Sequence, residues 1–264
     1  MIVIRTCAGF DELEACVQLQ METWGYDGSD VIPRKAFLVA QKIGGQVIGA
    51  FDTEIFGGQP EGGPESLVGF AMSLPGVKTG QGEPKAYLHS HMLAVREAYR
   101  NRGLGMQLKR EQRREALSRG IRQMEWTFDP LEIKNAYLNI EKLGAIARRY
   151  NVNQYGITSS PLQGGLPSDR LVAEWWMKSK RVEAALTGAR QLEFQCDGRI
   201  QVPAEIYEWK GRPSTRPQAL AVEEKNRQLF NRFFAEGLAV LGYERDARGD
   251  GTFLLGPWDE GWRY

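Results

Sequence analysis

The reading of this chain turns on the stretch Leu93-Ala94-Val95-Arg96-Glu97-Ala98-Tyr99-Arg100-Asn101-Arg102-Gly103-Leu104-Gly105. Residues 87–95 read as a strand and residues 103–119 as a helix closed by Gly120. The two glycines therefore stand where a strand hands over to a helix. Glycine lets backbone approach a ligand without a Cβ in the way. The first amides of a helix have no partner of their own, and the helix dipole favours negative charge beside them. Arg100 and Arg102 add positive charge at the same place. A pyrophosphate suits such a loop. A P-loop would need Lys-Ser or Lys-Thr after its last glycine, where this chain has Met106-Gln107. A dinucleotide fingerprint would need three spaced glycines, and two are present.

Outward from this stretch the chain alternates elements. A strand is expected at 2–5, a helix at 10–23, and a helix opened by Pro33. Strands follow at 46–52 and 67–74. Between and after them come glycine-rich loops at 57–64 and 75–83. Beyond the helix come a strand at 124–128, a helix at 135–143 closed by Gly144, and strands at 146–152 and 170–177. Residues 199–217 read as irregular. They precede an amphipathic helix at 220–234 and two strands, 238–243 and 252–255, around the turn Arg248-Gly249-Asp250-Gly251. The pattern is α/β in the broad (α+β) sense, around one mixed sheet.

A second stretch, Asn135-Ala136-Tyr137-Leu138-Asn139-Ile140-Glu141-Lys142-Leu143-Gly144, follows in order with a strand between the two. Together the two resemble the paired acetyl-CoA signatures of the GNAT N-acetyltransferase superfamily, over about residues 1–155. A bacterial subgroup of that family is similar in a further run, Leu166 to Trp175, followed by a C-terminal extension. The resemblance implies the GNAT fold, a central mixed, mostly antiparallel sheet flanked by helices. It also implies an acetyl-CoA-binding domain at 1–160 and an α+β extension at 161–264. The implied activity is transfer of an acetyl or short acyl group from acetyl-CoA to an amine by direct attack, with no metal. The implied partners are acetyl-CoA and an amine-bearing small molecule or peptide. The backbone of Leu93, Ala94 and Val95 would pair with the pantetheine arm and polarise the thioester. The amides of Arg100, Asn101, Arg102, Gly103, Leu104 and Gly105 would hold the pyrophosphate, and Asn135 and Lys142 would lie near the cofactor. The family commonly places a tyrosine before Glu-Lys as the acid for the leaving thiolate. Here Ile140 stands there, and Tyr137, a turn earlier on roughly the same face, is the stand-in. That departure keeps a second reading open, a non-catalytic acyl-CoA-binding or sensor module.

The chain's two histidines are His89 and His91, two apart on the strand entering the motif, so both should face one side. An imidazole titrates near neutrality and suits a base, although a hydrogen-bonded strand histidine is the plainer role. No third metal ligand accompanies them. Glu97, Glu125 and Asp129 read as turn or cap carboxylates. Lys109, Arg110, Arg113 and Arg114 read as a solvated helix face balanced by Glu111 and Glu115, with the 3′-phosphate of CoA as the alternative role. Trp175, Trp176, Trp258 and Trp262 read as packing. The helix at 220–234 is a candidate interface helix, with core packing the default, and a homodimer is a further expectation.

Composition bounds the rest. The 264 residues are 42% apolar and 25% charged, with net charge +1, so neither nucleic acid nor an anionic membrane is an expected partner. No apolar run approaches the ~20 residues of a membrane span. Residues 1–14 lack a signal-peptide pattern. Cys7, Cys16 and Cys196 are separated and odd in number, which fits free, buried thiols in a reducing, cytoplasmic setting.

Overall fold

A computed structural model of the chain describes residues 1–26, 28, 30–54, 60–79, 83–156, 163–189 and 193–263. The chain forms two compact units, Met1–Met124 and Glu125–Tyr264. This boundary lies upstream of the 160/161 division expected from sequence.

The first unit opens with β1 (Ile2–Thr6), α1 (Gly9–Trp24) and α2 (Arg34–Lys42). Then come β2 (Gln46–Asp52), β3 (Leu67–Lys78), β4 (Lys85–Val95) and α3 (Leu104–Ser118). Its strands run in the order β1-β2-β3-β4, each neighbouring pair antiparallel. Alternating strand residues build two cores. Phe51, Phe70, Met72, Met92 and Ala94 pack with Leu13, Cys16 and Val17 of α1 and Phe37 of α2. Ile48, Ala50, Val68 and Ala71 pack with Leu104 and Leu108 of α3, and with the half-buried Leu93 and Val95.

The glycine-rich segment after residue 74 differs from expectation. Pro75 to Lys78 extend β3, and the pairing continues to Lys78 opposite Lys85. Gly76 lies within this paired stretch, where the Tyr87 ring packs across it and a Cβ would lie 2.5 Å from the ring as placed. Residues 57–59 and 80–82 of the two expected loops lie outside the described residues. Pro33 caps α2 in extended conformation, one residue before the helix. Cys7 and Cys16 are both buried with their sulfurs 3.8 Å apart, and Cys196 is exposed rather than buried.

β5 (Gln123–Phe128) crosses into the second unit, followed by α4 (Ile133–Tyr137), a π-helical turn (Leu138–Lys142), β6 (Ile146–Asn151), β7 (Arg170–Trp176) and α5 (Lys180–Thr187). The chain continues through β8 (Gly198–Val202), α6 (Ile206–Gly211), α7 (Arg216–Ala235), β9 (Leu238–Arg245) and β10 (Gly251–Pro257). The strand order is β5-β7-β6-β9-β10-β8, and every pair of defined register here is antiparallel. Residues 199–202, expected to be irregular, are the edge strand β8, paired with β10. Ile200 and Val202 face inward and Arg199 and Gln201 outward, a period of two too short to stand out in sequence. α7 starts four residues earlier than expected because Pro217 sits in its first turn, where no amide is needed. Trp175 is fully buried, stacks edge-on with Trp126, and donates its indole N–H to the Leu143 carbonyl at 2.6 Å.

Candidate functional site

The start of α3 is an open cradle of amides. After β4 the chain makes a single 3-10 turn, Glu97–Tyr99, and then enters the left-handed region at Asn101 (φ 61°) and Gly103 (φ 78°). Only glycine adopts the second of these at no cost while capping a helix. A Cβ on Gly103 would meet nothing within 4 Å, so its conformation requires glycine and the space above it is open. The first helical bond runs from the Gln107 amide to the Gly103 carbonyl, 3.1 Å. The amides of Leu104, Gly105 and Met106 are thereby left without an intrahelical acceptor. Leu104 is buried and anchors the turn.

The arginines are set around this cradle. The Arg102 guanidinium lies over the Tyr99 ring at 5.2 Å. The Tyr99 hydroxyl donates to Asp52 Oδ2 at 2.7 Å, which raises the tyrosine pKa and lowers that of the carboxylate. Arg100 donates its Nε–H to the Val95 carbonyl at 3.1 Å, tying the loop back to the end of β4. Arg100, Asn101 and Arg102 are all exposed.

β4 carries a bulge. Ser73 pairs with Ser90 and Met72 with Met92, so His91 is the extra residue. His89, opposite Leu74, is half-buried, and the two imidazole centroids are 6.1 Å apart. The strand spacing thus does bring the histidines together. His91 keeps solvent access, yet the atoms crowding it lower its pKa below the usual 6.5. It is therefore neutral at neutral pH, the state a proton acceptor needs.

The expected solvated face of α3 is only partly one. Arg114 and Glu111 pair at the surface with Nε–Oε2 at 2.8 Å. Lys109 instead points inward, 4% exposed, and donates from Nζ to the Ser90 hydroxyl at 2.8 Å. Burial pushes its pKa down to about 7. Ser90 in turn donates to Gln112 Oε1 at 3.2 Å. The helical stripe Leu104, Leu108, Gln112, Ala116 runs beside Lys109, the one sequence signal that this lysine belongs inside.

The remaining candidates lie in the second unit. Asn135 is exposed and accepts weakly from Asn139 Nδ2 at 3.4 Å. Tyr137 is half-buried between two cations, Arg245 at 4.5 Å and the exposed Lys142 at 5.3 Å from its ring. Ile140 is fully buried. The two residues therefore differ in burial. The helix loosens at Tyr137 into a π turn, closed by the Leu143 amide on the Leu138 carbonyl at 2.9 Å, which shifts the later residues around the axis.

Of the expected turn carboxylates, Glu97 is exposed in its 3-10 turn. Glu125 is buried and paired with Arg149 at 2.7 Å. Asp129 caps the Leu131 amide and pairs with Lys210, both at 2.8 Å. The Leu166 to Trp175 run locks the fold. Asp169 accepts from Tyr150 at 2.7 Å, Arg227 at 2.8 Å and the Asn153 amide at 2.9 Å. So His89, His91, 93–95 and 100–105 share one strand–turn–helix of the first unit, and Asn135, Tyr137 and Lys142 share one helix of the second. Among the described residues, no group of three or more His, Cys, Asp or Glu is placed to hold a metal ion.

Residues 13–138 match the model of the acetyltransferase (GNAT) family. No curated protein sequence matches the chain. Among solved structures, the chain is similar to Arabidopsis thaliana NAA60 in complex with acetyl-CoA: 17% identity, 67% of this chain and 98% of that one, TM-score 0.53. The same protein with a bisubstrate analogue gives 17% identity, the same coverage and a TM-score of 0.52. An N-acetyltransferase from Staphylococcus aureus matches at 17% identity over 67% of this chain and 99% of that one, TM-score 0.48.

Proposed function

We propose that this chain, whose residues 13–138 form a GNAT acetyltransferase domain, transfers an acetyl or short acyl group from acetyl-CoA to the amine of a small molecule or peptide. The observation that carries this reading is the cradle at Gly103. Amides of Leu104 to Met106 without an intrahelical acceptor, an open approach and two exposed arginines suit a pyrophosphate, one strand-end away from Leu93 to Val95. The acyl-CoA domain is proposed to occupy residues 1–160, with 161–264 as its extension.

The assigned roles follow from the chemistry. The amides of Arg100 to Gly105 hold the pyrophosphate, and the backbone of Leu93, Ala94 and Val95 lines the pantetheine and polarises the thioester carbonyl. Asn135 and Lys142 contribute further cofactor contacts. His89 or His91 takes the proton as the amine nitrogen attacks the carbonyl carbon. The new C–N bond replaces the C–S bond, and the departing thiolate takes a proton, with Tyr137 as the donor. Neutral His91 beside His89 supports the base assignment. Fully buried Ile140 supports the second reading, a binding module without turnover, because the usual tyrosine hydroxyl is missing there.

Thermal unfolding with CoA and acetyl-CoA tests the reading, since a native-state ligand must raise the melting temperature. Both are expected to raise it, and an amine panel is expected to release free thiol. No shift with either ligand overturns both readings. A shift without thiol release across the panel, with His89→Ala and Tyr137→Phe neutral, selects the binding module.

A further inference from the structure

We propose that Lys109 is a positioning residue of the cofactor site, the anchor of the β-bulge that aims Leu93 to Val95; this rests on the reading of that strand end as the acyl-CoA edge. The argument begins with face parity. Ser90 faces α3, where its hydroxyl meets Lys109 Nζ at 2.8 Å and Gln112 Oε1 at 3.2 Å. Leu93 and Val95 also face α3, packed with Leu104 and Leu108. In a regular strand, residues three apart lie on opposite faces. Only the extra residue His91 lets Ser90 and Leu93 share one. The bulge thus decides which groups of 93–95 the strand end presents.

Polar ties to one helix, rather than apolar packing alone, hold that bulge from both strands. On β4 the tie is Lys109 to Ser90. On β3, opposite Ser90, the Ser73 hydroxyl donates to Gln46 Oε1 at 2.9 Å, and Gln46 Nε2 donates to the Gln112 carbonyl at 2.9 Å. Lys109 stands four residues after Gly105, about one turn along the helix whose first amides form the cradle. Its side chain therefore couples the two halves of the site, the amides at the helix start and the strand edge. Displacements of about an ångström in such a pair weaken binding well out of proportion to their size.

The test compares the wild type with Lys109→Met, Ser90→Ala and the double variant, each checked for a cooperative melt. Calorimetry with CoA is expected to give a Kd raised roughly tenfold in either single variant, with the double variant raised by less than the product of the two, because the Lys109–Ser90 tie is lost in both. In turnover, KM for acetyl-CoA rises while kcat stays within about twofold, whereas a merely structural loss lowers the folded fraction without moving KM. Unchanged CoA affinity in a folded Lys109→Met variant, or additive effects, overturns the proposal. Hydrogen exchange at the amides of 90–95 gives a readout that needs no ligand. Faster exchange in Lys109→Met supports the anchor even where the wild type binds no CoA, which would sink the functional reading alone. Unchanged exchange overturns the anchor.

Discussion

Lys109 in the first unit and Lys210 in the second are buried to the same degree, 4% and 6% exposed, and burial acts on them alike, disfavouring the charged form. Their partners separate them. Lys210 reaches Asp129 and Glu132, each at 2.8 Å, and the two carboxylates hold its pKa well above the ordinary value. Lys109 meets a serine hydroxyl, and its pKa falls to about 7. One lysine is a fixed charge that joins α6 to the end of β5, and the other is a proton-labile hydrogen-bond donor inside a polar network. Residue type and depth alone predict neither state.

The largest break in this comparison is Lys210→Met. It leaves Asp129 and the partly buried Glu132 without their cation. Removing one partner of a buried pair costs about 3–5 kcal/mol, read as a lower denaturation midpoint in urea. A loss near zero would mean that the carboxylates find other donors.

Next is the pH response set by Lys109. Its folded pKa lies below its unfolded value of 10.5, so the unfolded chain binds the extra proton between about pH 7 and 10.5. This group therefore makes stability rise with pH across that window, by at most about 1.4 kcal/mol per pH unit. The difference in unfolding free energy between wild type and Lys109→Met should show that slope. A difference that is flat with pH would show that the lysine stays charged when buried.

The mirror case is Glu223 on α7, whose effect lies on the acid side of Lys109's window. Among the described residues its Oε2 is buried without a hydrogen-bond partner, and burial, followed by the nearby Asp169 and Asp129, pushes its pKa up to about 8. The folded chain holds this proton between about pH 4.5 and 8, so this group's contribution falls as pH rises through that window. Glu223→Gln should match the wild type near pH 4 and be the more stable at pH 7, measured as melting temperature across a pH series. Equal stability at both would place the carboxylate in its ionised form.

The loop between β4 and α3 was legible in sequence because what builds it is local. A strand end, a left-handed glycine and the free amides of a first helical turn all lie within 93–107, and each follows from residue type and neighbour. The pairing of His89 with His91 was legible for the same reason, the two-residue period of a strand. The bulge at His91 was not, since it depends on which residues of β3 stand opposite. Lys109 was misplaced for a related reason. A lysine among arginines and glutamates reads as surface until α3 docks against the sheet with that position inside. Ile140 shows the complementary case. The departure from the family tyrosine was visible in sequence, while the burial of that position and the π turn that carries it were not.

The sequence by itself determined the local chemistry of this protein: a phosphate-suited helix start, a histidine pair on a strand and a family signature in two ordered parts. Tertiary structure alone decided which ionisable groups are buried and what faces them. Those contacts join residues distant in sequence, such as Lys109 with Ser90 and Lys210 with Asp129, and the proton affinity of a buried group is set by such neighbours.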